Sequence, residues 1–312
     1  MTAPGRFPRL TLLPRYRPLP PVSGWWAVVV PLALMLSSDY KLRSREAEQT
    51  VSGSADLTIL TEIGIYGFAA IYLYYRFGLR PPSRPTTGLL LAAWAFAAYL
   101  ALSALWSPFL SLGLVRGVQL LITMSLAYVL ATRAEPRDMH RLGHAFIAIA
   151  LASVAIGVAH PFPRTSLTED RFNWLYVHPV QAAVYLAVAL LLTVSYLIRF
   201  ETPQHRLWHP LLYLGAMAVL AGALIATGPR GAAAGCAAGL VVLLATSRGP
   251  RGRVDVLVLG ATVSTVAALA FSEKILAFVS RGESAESLAS LNSRTELWTL
   301  AMRAYAEEPV FG

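Results

Sequence analysis

Nine stretches of this sequence approach the roughly 17–25 apolar residues needed to cross a lipid bilayer, and no other feature restricts its fold so strongly. They run over about 21–38, 57–75, 87–105, 112–131, 144–160, 180–198, 211–227, 232–247 and 254–271. Inside hydrocarbon a backbone finds no water, so each stretch must satisfy its own N–H and C=O groups, as a helix does. Composition agrees: 56% of the 312 residues are hydrophobic and 14% charged, against about a quarter charged in a soluble domain. The expected fold is all-α, a polytopic transmembrane helix bundle of about nine spans over residues 1–271. Residues 272–312 follow it as an extramembranous stretch.

The seventh and eighth runs are separated only by Gly228-Pro229-Arg230-Gly231. Proline cannot continue a helix ladder, so this segment reads as a tight re-turn at the membrane surface. The first run follows Arg6, Arg9, Arg15 and Arg17 in the manner of a signal peptide. No small-residue cleavage site follows it, since the chain continues as Ser37-Ser38-Asp39-Tyr40-Lys41, and it reads as an uncleaved anchor.

The net charge of +9 could suggest a nucleic-acid partner, but its placement follows membrane topology. With the N-terminus inside and the spans alternating, the inner segments carry Arg6, Arg9, Arg15, Arg17, Arg76, Arg80, Arg84, Arg133, Arg137, Arg141, Arg199, Arg206, Arg248, Arg251 and Arg253. Only Glu135, Asp138, Glu201 and Asp255 oppose them there. Every inner loop is therefore net basic, the pattern of cytoplasmic loops, and nine spans place the C-terminal stretch outside. No nucleic-acid partner is expected. Cys236 is the only cysteine, so no intrachain disulfide and no CxxC metal site can form.

The outer side collects arginines beside membrane segments: Arg171 in loop 161–179, Arg230 in the tight turn, Arg294 in the C-terminal stretch, and Arg116 near the start of the fourth run. Arginine at membrane depth is costly and usually has a partner or a task. Its planar, permanently charged fork suits phosphate, so several on one face suit a lipid-linked pyrophosphate. The plainer reading is a set of interfacial arginines that snorkel to water. Ser293-Arg294-Thr295-Glu296 fits a capping box, and Leu297, Trp298, Leu300, Ala301, Ala304 and Tyr305 recur at helical spacing. An amphipathic surface helix is expected there, its N-terminus a possible anion site. Gly231, Gly235 and Gly239 form a small-xxx-small ladder suited to close helix packing. Glu62, inside the second run, is a buried acid expected to pair with an arginine such as Arg116.

These residues carry a family resemblance. Leu105-Trp106-Ser107-Pro108 with Ser111-Leu112 and Arg116, Arg171 with His178-Pro179, Thr227-Gly228-Pro229-Arg230-Gly231, and Ser293-Arg294 with Leu297-Trp298 and Glu308-Pro309-Val310-Phe311-Gly312 together resemble the O-antigen ligase and O-antigen polymerase superfamily. Pro229 stands where that family usually has serine, and Val180 where it has asparagine. The resemblance implies a multi-pass protein of the bacterial inner membrane whose C-terminal stretch, 272–312, opens a periplasmic loop. It implies transfer or polymerisation of glycans from an undecaprenyl-pyrophosphate-linked donor to a lipid or glycan acceptor, without metal or other cofactor. Arg171, Arg230 and Arg294 match the family's arginine positions, and Arg116 joins them as a pyrophosphate ligand.

The family's proposed histidine base follows the last of these elements, and the sequence stops at Gly312 inside it. A truncated chain that binds donor but transfers poorly is therefore expected, with His178 the first alternative base. Two other readings use the same residues: a transporter or flippase of amphipathic lipids, and a non-catalytic partner in polysaccharide assembly.

Overall fold

The computed structural model describes residues 24–39, 57–77, 88–107, 110–159, 172, 179–198, 208–247 and 294–307. They form helices α1 (Trp26–Asp39), α2 (Leu57–Phe77), α3 (Gly88–Ser103), α4 (Leu110–Arg133), α5 (Pro136–Ala159), α6 (Pro179–Ile198), α7 (Trp208–Thr227), α8 (Arg230–Ser247) and α9 (Arg294–Glu307). A 3-10 turn, Ala104–Trp106, follows α3. No strand occurs among the described residues. The first eight apolar runs thus fall on eight helices in order, and the ninth run, 254–271, lies outside the described residues.

Among the described residues, four segments are long and apolar enough to cross a membrane: Gly88–Trp106, Leu110–Arg133, Pro136–Ala159 and Pro179–Ile198. Trp26–Ser38, Leu211–Thr227 and Arg230–Thr246 are shorter apolar helices. The chain is an all-α membrane protein.

Proline marks several helix starts. Pro136 and Pro179 each occupy the first helical position, where a missing N–H costs nothing. Pro229 immediately precedes α8, and its carbonyl accepts the Ala233 N–H at 3.2 Å. At α5 the Glu135 carbonyl accepts from the N–H groups of Asp138 and Met139, so only Ala134 and Glu135 separate α4 from α5.

Two apolar cores form. In one, α6 is the hub: Ala183, Leu186, Ala187 and Leu190 pack with Ala150 and Val154 of α5, Leu220 and Leu224 of α7 and Cys236 of α8. In the other, Trp26, Val30 and Leu34 of α1 meet Tyr66, Ala69 and Leu73 of α2 and Leu126 and Val129 of α4. Helix α1 also packs against α5, and its Met35 lies against Ala182 of α6, which joins the two groups. Many large apolar side chains face outward, among them Phe68, Ile71, Leu89, Val158 and Ile225. In water that surface would aggregate; in lipid it is the expected exterior.

Helix α3 lies tightly on α4. A Cβ at Gly117 would stand 2.5 Å from Ala101 Cα, and one at Gly113 would stand 3.1 Å from Ala104 Cβ. The close small-residue contact expected along α8 is made only at Gly239, where a Cβ would meet Leu191 Cδ1 at 2.9 Å. Gly231 and Gly235 have no described atom within 4 Å of that position, so their ladder packs nothing among the described residues.

The helices run alternately. One end gathers the start of α1, the end of α2 and the junction of α4 with α5: Trp26 sits edge-on to Phe77 at 5.0 Å, and the Arg133 guanidinium lies 5.3 Å over the Phe77 ring. Asp138 accepts the Gly24 N–H at 3.4 Å and Arg141 Nη1 at 3.2 Å. The opposite end holds Glu62, Arg116 and the α7–α8 turn. In helix α9, residues 295–307 are all exposed.

Candidate functional site

At the second of these ends a buried carboxylate organises α2 and α4. Glu62, 4% exposed, accepts Arg116 Nη1 at 3.3 Å and Gln119 Nε2 at 3.0 Å, both on Oε1. The same Arg116 Nη1 donates to Gln119 Oε1 at 2.9 Å. An arginine can only donate and a carboxylate only accept, which fixes the Gln119 amide with its carbonyl toward Arg116 and its NH2 toward Glu62. The expected Glu62–Arg116 pair is therefore present. Gln119, which closes the triangle, carries no charge and gave no signal in the sequence. Burying a carboxylate is costly unless it is paired and hydrogen-bonded, and here two donors meet it. The Arg116 side chain remains 60% exposed.

At the same end the α7–α8 turn positions Arg230. Thr227 closes α7 with its hydroxyl on the Leu224 carbonyl at 2.6 Å and has no exposed surface. Gly228 follows with φ 75°, the left-handed conformation that favours glycine, and its N–H reaches the Ile225 carbonyl at 3.0 Å. Pro229 then pre-sets the helical direction and Arg230 opens α8, half-buried. The sequence-level re-turn is thus a two-residue connection that holds an arginine at a helix N-terminus, where backbone N–H groups and the helix dipole favour an anion.

Phe172 also meets this turn. Its N–H donates to the Ala226 carbonyl at 3.1 Å, and its ring packs against both the α5–α8 core and Ala182. Its neighbour Arg171, and His178, lie outside the described residues. Arg294 is the first residue of α9, with Glu296 in the first turn as the capping-box spacing requires; its side chain lies outside the described residues. No described hydrogen bond or ion pair joins Arg116 to Arg230, and the two stand on different helix groups.

The opposite end holds a cluster the sequence did not announce. His144 Nδ1 donates to the His140 carbonyl at 2.7 Å, its Nε2 pairs with the Tyr213 hydroxyl at 2.6 Å, and its ring stacks on Tyr196 at 4.3 Å. These contacts tie α5, α6 and α7 over long sequence separations, which local patterns cannot reveal. Among the described residues no group of three or more His, Cys, Asp or Glu could hold a metal ion.

Fold and sequence together define a polytopic helical membrane protein with Arg116 and Arg230 towards one end and Arg133 and Arg141 at the other. Residues 215–312, under a third of the chain, match the family described as O-antigen ligase. The match begins within α7, takes in the Thr227–Arg230 turn, α8 and α9, and leaves out the Trp106-Ser107-Pro108 and Arg171 elements. No curated protein and no solved structure matches the chain. The chain is thus a helical membrane protein whose C-terminal part is similar to that family.

Proposed function

We propose that this protein transfers a glycan from an undecaprenyl-pyrophosphate-linked donor to a lipid or glycan acceptor at the periplasmic face of the bacterial inner membrane. The observation that carries the reading is the family match across the turn that places Arg230 at the start of α8. In the transfer an acceptor oxygen bonds to the anomeric carbon, the bond from that carbon to the pyrophosphate breaks, and the acceptor proton leaves to a base. Negative charge grows on the leaving pyrophosphate. Fixed cationic donors aimed at that charge act where it develops and need no reorganisation.

Arg230, Arg171 and Arg294 are assigned this role, with Arg116 beside them. The Phe172–Ala226 hydrogen bond supports the grouping, because Phe172 adjoins Arg171 in sequence and Ala226 lies four residues before Arg230. His178, one residue before α6, is the first candidate for the base.

The test is turnover of a lipid-linked glycan and an acceptor by the protein as the cell makes it, reconstituted in lipid. Arg230→Ala is expected to lower turnover by about 10²-fold or more, the scale of losing one transition-state donor. Turnover unchanged by Arg230→Ala overturns the assignment, and movement of the donor across the bilayer with no new glycosidic bond favours a flippase.

A further inference from the structure

Arg116 spends two of its five N–H donors on its neighbours. Both leave from Nη1, one to Gln119 Oε1 at 2.9 Å and one to Glu62 Oε1 at 3.3 Å. All its hydrogen bonds and ion pairs with described residues run through that nitrogen, and the side chain is 60% exposed. The Nη2 and Nε donors share the opposite edge of the plane, the edge that takes two phosphate oxygens side by side. Glu62 and Gln119 are themselves buried, at 4% and 8% exposure, and Gln119 is anchored to Glu62 at 3.0 Å.

The geometry points to Glu62 and Gln119 as positioning residues that hold Arg116 by one nitrogen so that its Nη2–Nε edge binds a pyrophosphate or phosphate anion. An arginine on a free stem loses side-chain entropy when it orders on a ligand. One already held by a buried carboxylate and amide loses less, which is pre-organisation. The inference rests on the reading of this end as the donor site, and it adds how one of the arginines is aimed.

The experiment measures binding of farnesyl pyrophosphate to the purified protein in phosphatidylcholine nanodiscs. Arg116→Ala is expected to raise Kd on the order of tenfold, the effect of losing a charge-assisted pair of hydrogen bonds. Glu62→Ala and Gln119→Ala should each weaken binding severalfold. Either one combined with Arg116→Ala should bind no worse than Arg116→Ala alone, since a positioning residue acts only through what it positions. Glu62→Gln keeps a carbonyl oxygen in place of Oε1 and should restore most of the affinity lost in Glu62→Ala; if Glu62→Ala does not fold, Gln119→Ala carries the cycle.

Losses that multiply in the double variants overturn the proposal, as does a lowered melting temperature with unchanged Kd. Displacement of the probe by phosphatidylglycerol in the nanodisc overturns it in favour of a phospholipid headgroup. Arg230→Ala in the same assay separates the two readings: loss there without loss in Arg116→Ala sinks the clamp alone, and loss in neither sinks the donor site itself.

Discussion

Asp138 has no exposed surface, and its carboxylate takes the Gly24 N–H and the Arg141 guanidinium. One side chain therefore ties the entry of α1 to the first turn of α5. Replacing it with alanine removes two hydrogen bonds to a charged group, at a cost of about 1.5–3 kcal/mol. A lower melting temperature of Asp138→Ala in detergent checks this, and an unchanged one refutes it. Arg230 poses a different question, because only its shape separates it from lysine. If it grips pyrophosphate through its fork, Arg230→Lys should lose nearly as much turnover as Arg230→Ala, since an ammonium is a point charge; wild-type turnover in the lysine variant removes that role. At this scale the sequence exposes a residue whose charge is out of place. Glu62 inside an apolar run demands a cation, and Arg116 supplies it. Gln119, and the His144–Tyr213 contact across 69 residues, give no such sign, because neutral polar groups fit many surroundings and only the packed helices bring these together.

Helix boundaries and helix seams differ in how openly the sequence carries them. Apolar runs locate the part of a helix that lies in lipid, and eight of the nine fall on helices. They miss polar extensions: α5 begins at Pro136, eight residues before its apolar run, because the turn bearing Arg137, Asp138 and Arg141 is helical without being apolar. Seams are harder to read. Glycine spacing shows where a close approach is permitted, and the neighbouring helix decides where it happens. Gly117 illustrates the outcome, since a Cβ there meets the Ala101 backbone at 2.5 Å, whereas one at Gly235 meets no described atom within 4 Å. Gly117→Ala should force α3 from α4 and destabilise the fold by roughly 1–3 kcal/mol. Gly235→Ala should be neutral or slightly stabilising, because alanine favours helix more than glycine does. Thermal unfolding of the two variants side by side checks the contrast, and equal effects refute it.

Across the whole molecule the described helices alternate in direction, as membrane crossing requires, so each end of the bundle gathers the starts of some and the ends of others. Loop charge predicts which end faces the cytoplasm, and a reporter tests it. Inserted within 248–253 it should read the cytoplasmic side, and fused after Gly312 the outer side; a shared compartment means a miscounted span, first of all in the 211–247 hairpin. A further consequence lies in how α7 and α8 are held. Joined by two residues, they pack, among the described helices, mainly on α6 and hardly on each other. The ribosome makes residues 179–198 before 208–247, so the template stands in the bilayer before either helix that needs it. A gene rearranged to encode 208–247 ahead of 179–198 should give slower acquisition of protease resistance in a pulse-chase, and equal rates would count against this. Its two helices would leave the translocon with no seam to share, and would stay apart until the surface that joins them was synthesised.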